Sequence, residues 1–286
     1  MEKAIINYST SGLGNRLRPL ASCYAISKQT GRKLIAYWDN VTPNGCLAKW
    51  EELFKNELQV ISLEELKQLD DCLLFSETDG VGHGYEREYQ KFGRNALKYL
   101  ASKYPALPKS NFDYSYDNKN IIIYDNNFQP KVNINDSYEF IQNLIPIKEI
   151  QEKIDYYTNE LKLNKDIIGI HARGTDFGDY LDQYIYVIQH VLNQNPSQMF
   201  FLSTEDPIYE NTIKEKFGDN IIIRKKNNYI IKDDYKPWND HNSFSITKEH
   251  AQEAVEDIFL LSKTDIQIYH PLSTFCEIAK IISNKN

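Results

Sequence analysis

The chain has 286 residues and a formal net charge of −7, with 41% hydrophobic and 26% charged residues. This composition is typical of an ordinary soluble protein, and the length suits two smaller cores better than one. The negative charge argues against a dedicated nucleic-acid binder, in which a basic stripe is expected.

No segment predicts export or insertion into a membrane. Residues 1–8 lack the long apolar run of a signal peptide and are interpreted as a first strand. No apolar run reaches the ~20 residues that a membrane helix needs. The cysteines at 23, 46, 72 and 276 are widely spaced, which favours free buried thiols over disulfides or zinc. We therefore expect a cytoplasmic protein, with peripheral membrane contact left open.

The chain opens with a β-turn-α-β pattern. A strand is predicted at 4–8, a small turn at 9–15, a helix at 16–30 with apolar residues at helical spacing, and a second strand at 34–38. Gly31 ends the helix as C′ glycines do. This pattern is typical of the start of a doubly wound sheet.

The middle of the chain has a looser pattern, and the second half alternates regularly. In the middle, helices are predicted at 50–54, 63–69, 89–104, 139–144 and 148–161, strands at 73–75 and 121–124, and a glycine-rich loop at 80–84. Later, strands at 167–170, 199–203, 221–223 and 265–269 alternate with helices at 181–192, 207–217, 249–262 and 274–283. This alternation predicts a nucleotide-binding α/β domain. The polar segment 225–248 is interpreted as a long functional loop.

Polar side chains that could bind a ligand or take part in catalysis follow the apolar run 167–170. His171, Arg173, Thr175 and Asp176 come within six positions, where ligands lie in open α/β sheets. The planar guanidinium of an arginine is suited to a phosphate. A surface ion pair between Arg173 and Asp176 is the alternative.

The first strand is followed by Gly12-Leu13-Gly14-Asn15-Arg16, where a phosphate-binding turn would lie. Glycines allow close approach of a backbone to a ligand, and helix-start amides favour an anion. The spacing does not complete Gly-x-Gly-x-x-Gly, so a tight strand-to-helix turn is the alternative. Because a cation in the first turn opposes the helix dipole, Arg16 and Arg18 suggest a negatively charged partner, with side chains that point into solvent as the alternative.

Three further groups of candidate binding residues lie in the second half of the chain, two after predicted strands and one on a predicted helix. Thr204, Glu205 and Asp206 could bind ribose or a base, or cap the helix that begins at Pro207. Ser273 and Thr274 could donate to a phosphate or act as an N-cap. Glu256 and Asp257 interrupt an apolar stripe, so a carboxylate there must meet a donor such as guanine or a salt-bridge partner.

No metal site is predicted. The six histidines show no His-x-x-x-His pair, and the Asp-x-Asp signature of many metal-dependent sugar transferases is missing. Asp176, Asp179, Asp233 and Asp234 could bind a divalent cation, but no pattern requires it.

Taken in chain order, these motifs resemble the GDP-fucose-dependent fucosyltransferases, most closely the α1,6-fucosyltransferases of nodulation factors and N-glycan cores. The α1,2- and protein O-fucosyltransferases are more distant. The resemblance implies a GT-B-like α/β fold, with two Rossmann-type lobes facing a central cleft. Residues 1–147 would form the acceptor-side domain and 148–286 the nucleotide-sugar-binding domain. It also implies inverting, metal-independent transfer of L-fucose, or a related deoxy sugar, from a GDP-sugar to a glycan, without another cofactor.

Carried over by position, the resemblance assigns roles to single residues. Arg173 would hold the β-phosphate, and His171 and Asp257 would flank guanine. Gly174 stands where a second Arg is common. In the inverting mechanism that the resemblance implies, a base deprotonates the acceptor hydroxyl, and our candidates for it are Asp176 and Asp179. The implied donor-binding set is Gly12, Gly14, Asn15, Arg16, His171, Arg173, Thr204, Glu205, Asp206, Asp257, Ser273 and Thr274.

Two alternatives stay open. One is a transferase that uses another GDP-sugar, such as a heptose donor, and the other is a non-catalytic nucleotide- or carbohydrate-binding protein. A dinucleotide oxidoreductase is disfavoured by the incomplete glycine pattern. Contacts to an oligosaccharide or glycan acceptor are expected in the loops 80–84 and 225–248.

Overall fold

Two compact units, residues 1–145 (unit 1) and 146–286 (unit 2), make up the chain. The structure is a computed structural model that describes residues 3–9, 12–38, 40, 46–76, 95–108, 112–113, 118–124, 132–174, 180–229, 247–264, 267–271 and 273–285. The unit boundary lies close to the predicted one at 147/148. Among the described residues, no helix combines the length and apolar character needed to cross a membrane.

Unit 1 is built on a wholly parallel sheet in the order β3-β2-β1-β6-β4-β5. Its strands are β1 Ala4–Ser9, β2 Lys33–Trp38, β3 Gln59–Val60, β4 Cys72–Ser76, β5 Ala106–Pro108 and β6 Asn120–Tyr124. Its described α-helices are α1 Leu13–Thr30, α2 Leu63–Gln68, α3 Asn95–Lys103 and α4 Ile134–Gln142, and Trp50–Glu52 forms a 3₁₀ turn.

Both faces of this sheet are apolar, as in a doubly wound fold. Successive side chains of a strand point to opposite faces, so Ile5 and Ile6 of β1 enter different clusters. Ile6 packs in a cluster with Leu74 and Ile122, and Ile5 in one with Phe75. The apolar runs that predicted these strands are therefore covered on both sides.

Three predicted helices of unit 1 need correction, and two short strands were not predicted. The helix predicted at 50–54 is only the 3₁₀ turn Trp50–Glu52. Helix α1 begins at Leu13 rather than at residue 16, because Gly12 serves as the N-cap without a side-chain hydrogen bond and so leaves no polar signal. Helix α4 begins at Ile134 rather than 139, after the Asn133 side chain accepts from Asn135 N. Strands β3 and β5 were not predicted, since they are edge strands of two and three residues, and β5 ends in Pro108.

Unit 2 is built on a second parallel sheet, in the order β10-β7-β8-β9. Its strands are β7 Ile168–His171, β8 Phe200–Ser203, β9 Ile221–Ile223 and β10 Gln267–Tyr269. Its described helices are α5 Lys148–Glu160, α6 Leu181–Gln194, α7 Pro207–Phe217, α8 Lys248–Leu261 and α9 Thr274–Ser283. The predicted alternation is confirmed here, with small shifts at the ends of elements.

Strand β7 is the buried centre of this unit. All four of its residues are buried, and Ile170 packs in one cluster with Ile188 of α6 and Ile213 of α7. The strand is flanked by β10 and β8, so its carboxyl end lies between two other strand ends. The fold thereby places His171 in the middle of the carboxyl edge of the sheet.

Candidate functional site

The carboxyl edge of the unit 2 sheet collects most of the predicted site residues of the second half. The strands are parallel, so their carboxyl ends share one edge. His171 is in register with Ser203 on one side and with Tyr269 on the other. Arg173 follows β7, Thr204 to Asp206 follow β8, and Ser273 precedes α9. The edge therefore brings an imidazole, a guanidinium, hydroxyls and carboxylates together.

His171 is a neutral hydrogen-bonding group at this edge. Its ring stacks on Phe275, with centroids 4.4 Å apart, and its Nδ1 lies 3.3 Å from Ser273 Oγ. Burial lowers the pKa of His171 to about 4, and the nearby Glu205 and Arg173 charges act in opposite directions on it. At neutral pH the imidazole is therefore uncharged and can donate at one nitrogen and accept at the other.

Helix α9 begins at the same edge. Ser273 is its N-cap, because its hydroxyl oxygen accepts from Cys276 N at 3.4 Å, and Thr274 is the first helical residue. The capping interpretation weighed for Ser273 is thus observed. Both residues are buried, and a helix start of this kind favours an anion.

Local hydrogen bonds explain two of the three residues after β8, and one of these, Asp206, is a helix cap. Thr204 Oγ1 accepts from Asp206 N at 3.1 Å, and Asp206 Oδ1 accepts from Ile208 N at 2.8 Å as the N-cap of α7. Glu205 lies between them and is half-buried. A ligand-binding role for these residues stays a prediction.

Gly174 is closely packed against Asp206. A Cβ added at position 174 would lie 2.8 Å from the Cβ and 2.9 Å from the Cγ of Asp206. Such separations are shorter than packed side chains allow. This contact explains why glycine stands after Arg173, where the resembling family commonly has a second arginine.

Asp257 of α8 is buried in a network of charged side chains. Its Oδ2 accepts from Ser203 Oγ at 2.7 Å and from Lys226 Nζ at 2.5 Å, and its Oδ1 accepts from Arg224 Nε at 2.5 Å. Burial opposes ionisation, but the Arg224 and Lys226 charges outweigh it and hold the pKa of Asp257 well below its usual range. The salt-bridge alternative is therefore observed, and recognition of guanine by Asp257 stays a prediction.

The neighbouring Glu256 belongs to the same network. Its carboxylate lies 3.2 Å from Arg224 Nη1 and accepts from Lys153 Nζ of α5 at 2.9 Å. Burial raises the pKa of Glu256. Arg224 also donates to the Glu253 carbonyl at 3.0 Å, so its guanidinium is shared among three residues of α8.

Sequence reasoning missed Arg224 and Lys226. Both follow β9, but Arg224 falls between the predicted strand 221–223 and the predicted loop 225–248, and Lys226 falls within that loop. The signal that could have found them is their position directly after the apolar run Ile221–Ile223, since every parallel strand of the unit points its carboxyl end to the same edge.

The predicted site residues of unit 1 lie where β1 leads into α1. Gly12 is exposed, and Gly14, Asn15 and Arg16 belong to the first turn of the helix rather than to a turn before it. Arg16 is fully buried, and its guanidinium carbon lies 5.1 Å from the centroid of a Trp38 ring. A cation over an indole face is a stabilising contact. Their binding of a donor stays a prediction.

The remaining predicted residues are outside the part of the chain that the structure describes. Asp176 and Asp179 fall within 175–179, the glycine-rich loop within 77–94, and Asp233 and Asp234 within 230–246. All four cysteines are buried as free thiols. In the described ranges, no group of three or more His, Cys, Asp or Glu side chains is placed to hold a metal ion.

No protein-family model and no curated protein matches the sequence. Solved structures, however, share the fold over nearly all of it. NodZ, an α1,6-fucosyltransferase of Bradyrhizobium, soaked with GDP-fucose, has a TM-score of 0.63 at 18% identity, covering 99% of this chain and 93% of that one. A variant of Arabidopsis thaliana FUT1 in complex with GDP has a TM-score of 0.56 at 16% sequence identity, and the match covers 99% of this chain and 68% of that one. POFUT1 in complex with GDP-fucose has a TM-score of 0.54 at 11% sequence identity, and the match covers 98% of this chain and 94% of that one.

These likenesses show the fold. The chain has the fold of GDP-fucose-dependent fucosyltransferases, the proteins that its motifs resemble, so the predicted GT-B-like fold class is confirmed. At 18% identity or less, the fold does not by itself carry over an activity.

Gly174→Ala is expected to destabilise unit 2 by about 1–3 kcal/mol, because the added methyl overlaps Asp206. Asp206→Gly removes that side chain and, at an N-cap, costs only a few tenths of a kcal/mol. Alanine at 174 should therefore cost much less when position 206 is glycine. Chemical unfolding of the parent, both single variants and the double variant measures the coupling. Additive effects would contradict the packing explanation.

The stability of unit 2 is expected to depend on His171 in weakly acidic solution. The folded pKa of about 4 lies below the ordinary value of 6.5, so between them the unfolded chain binds more protons. The free energy of unfolding should rise with pH through this window and level off above it. Between about pH 5 and about pH 7 the change from His171 is roughly 2 kcal/mol.

The measurement is urea unfolding of the parent and of His171→Gln at both pH values. The variant removes the titrating group, so the difference between the two pH dependences isolates His171. An equal pH dependence in both proteins would show that the imidazole is not held in its neutral form by burial.

Proposed function

We propose that the chain is an inverting glycosyltransferase that moves L-fucose, or a related deoxy sugar, from a GDP-sugar to a hydroxyl of a glycan. The observation that carries this proposal is the combination of Arg173, the Ser273-capped start of α9 and a neutral His171 at one sheet edge. A guanidinium and a helix start suit a diphosphate. The shared fold with NodZ soaked with GDP-fucose supports the choice of donor.

The proposed reaction is a single displacement. The acceptor oxygen forms a bond to the anomeric carbon from the face opposite GDP, while the bond from that carbon to the β-phosphate oxygen breaks and its electron pair leaves with GDP. Arg173 and the first amides of α9 stabilise the charge that develops on the diphosphate. The acceptor proton passes to Asp176 or Asp179 as general base.

The remaining features follow from the resemblance and are part of the proposal. The reaction is metal-independent because positive charge at the leaving group comes from Arg173 and the helix start. The acceptor is an oligosaccharide or glycan, in the assembly of a surface polysaccharide or another glycan. No nucleic acid takes part.

The first test is a thermal-shift comparison of GDP, UDP, ADP and CMP at matched concentrations. At a fixed concentration, a ligand that binds the native state raises the melting temperature more the more tightly it binds, so GDP should give the largest shift. Release of GDP from several GDP-sugars then separates a fucose donor from a heptose donor. The proposal is refuted if GDP in millimolar excess gives no shift, and a protein that binds GDP but releases none from any GDP-sugar would be the non-catalytic alternative.

Arg173→Ala should slow turnover about a hundredfold or more, because removing one donor to developing negative charge costs about 3 kcal/mol of transition-state stabilisation. The rate is measured as kcat/KM for the GDP-sugar. Lys280→Ala is a suitable control, since it removes one positive charge from an exposed position of α9 in the same unit. Near-normal turnover of the Arg173 variant would contradict its assigned role.

A further inference from the structure

Two consecutive lysines after β9 have different surroundings. Lys225 is exposed. The Lys226 side chain is only 6% exposed, and its Nζ donates to the Thr204 carbonyl at 2.6 Å and to Asp257 Oδ2 at 2.5 Å. Lys226 therefore reaches from the end of β9 across the carboxyl end of β8.

Within the part of the chain that the structure describes, one N–H donor of Lys226 and one acceptor position of Asp257 make no hydrogen bond. An ammonium has three N–H donors, and within the described residues Lys226 uses two of them. A carboxylate has about four acceptor positions, and Ser203, Arg224 and Lys226 fill three of those of Asp257. Because the two groups are in direct contact, the remaining donor and the remaining acceptor belong to neighbouring atoms.

This pair lies apart from the groups suited to a phosphate. Arg173 and the start of α9 belong to the β7 and β10 side of the edge, and Lys226 and Asp257 belong to the β8 and β9 side. Neighbouring strands are about 4.8 Å apart, so the two sides are separated by roughly 5–10 Å. A nucleoside diphosphate has its phosphates and its base at opposite ends of the ribose. The phosphates thus fit the Arg173 side, and the base fits the Lys226 side.

We propose that Lys226 determines base specificity at the donor site, donating its third N–H to the 6-oxo group of guanine while Asp257 accepts from the adjacent N1–H. Guanine presents an acceptor and a donor on neighbouring atoms of one edge, and the Lys226–Asp257 pair is the complement. Adenine places an amino group where guanine has the oxygen, so two donors would face each other at Lys226. A mismatch of this kind between buried polar groups is strongly rejected. The inference rests on the proposed GDP-sugar function and adds a residue that reads the base.

A purely structural role makes a different prediction. If Lys226 only holds β8, β9 and α8 together, its loss weakens the binding of every nucleotide to the same extent. If Lys226 recognises the base, its loss weakens the binding of GDP and leaves the binding of ADP nearly unchanged, because ADP does not make this contact. The ratio of the two affinities is therefore the informative quantity.

The experiment is calorimetric titration of the full chain with GDP and with ADP. Lys226→Met should weaken GDP by about ten- to hundredfold, the range for a hydrogen bond to a charged group, and reduce the GDP-to-ADP affinity ratio by a similar factor. Lys225→Met, the neighbouring exposed lysine, is the matched control and should match the parent chain. Circular dichroism verifies the fold of each variant.

Lys226→Gln keeps the proposal testable if methionine at 226 prevents folding. A glutamine amide has two N–H donors, enough for Thr204 and Asp257 but with none left for a base. The variant should therefore keep the hydrogen bonds to Thr204 and Asp257 and still reduce the ratio of GDP affinity to ADP affinity.

Two results would overturn the inference while leaving the proposed function in place: GDP affinity unchanged in the folded Lys226 variants, or GDP and ADP weakened by the same factor. Failure of the parent chain to bind GDP would overturn the proposed function together with this inference.

Discussion

The buried charge of Asp257 is the constraint on which the carboxyl edge of unit 2 depends. A carboxylate that is 4% exposed remains ionised only if donors surround it. Its donors come from the last residue of β8, Ser203, and from Arg224 and Lys226 after β9. One side chain of α8 thus joins a helix to two strand ends, and the polar groups around it keep fixed positions.

The pKa values of two consecutive carboxyl groups of α8 are shifted in opposite directions. Asp257 and Glu256 are both buried and both contact Arg224, yet the pKa of Asp257 is lowered and that of Glu256 is raised. Asp257 has a second buried cation in Lys226, whereas the second cation of Glu256, Lys153, has a side chain that is 52% exposed. Burial therefore dominates at Glu256, and the charges of its partners dominate at Asp257.

The sequence predicted what is local and missed what is distant. Apolar runs and caps are short-range patterns, so the strands of unit 2 and the capping of Asp206 and Ser273 could be read from the chain. The partnership of Arg224 with Asp257 joins positions 33 residues apart, which no periodicity encodes. Helix α1 began earlier than predicted because its cap, Gly12, has no side chain. Asp176 and Asp179 lie outside the described residues, so their assignment as base stays a hypothesis from the sequence.

The contact between Gly174 and Asp206 has a historical consequence. The space that a larger residue at 174 would need is already filled by the side chain at 206. A lineage that gains a second arginine after Arg173 must therefore change position 206 first, and one that loses it must change position 174 first, since the opposite order passes through an overpacked ancestor. The two sites are epistatic, and ancestral sequences of this protein should record one permitted order of substitution.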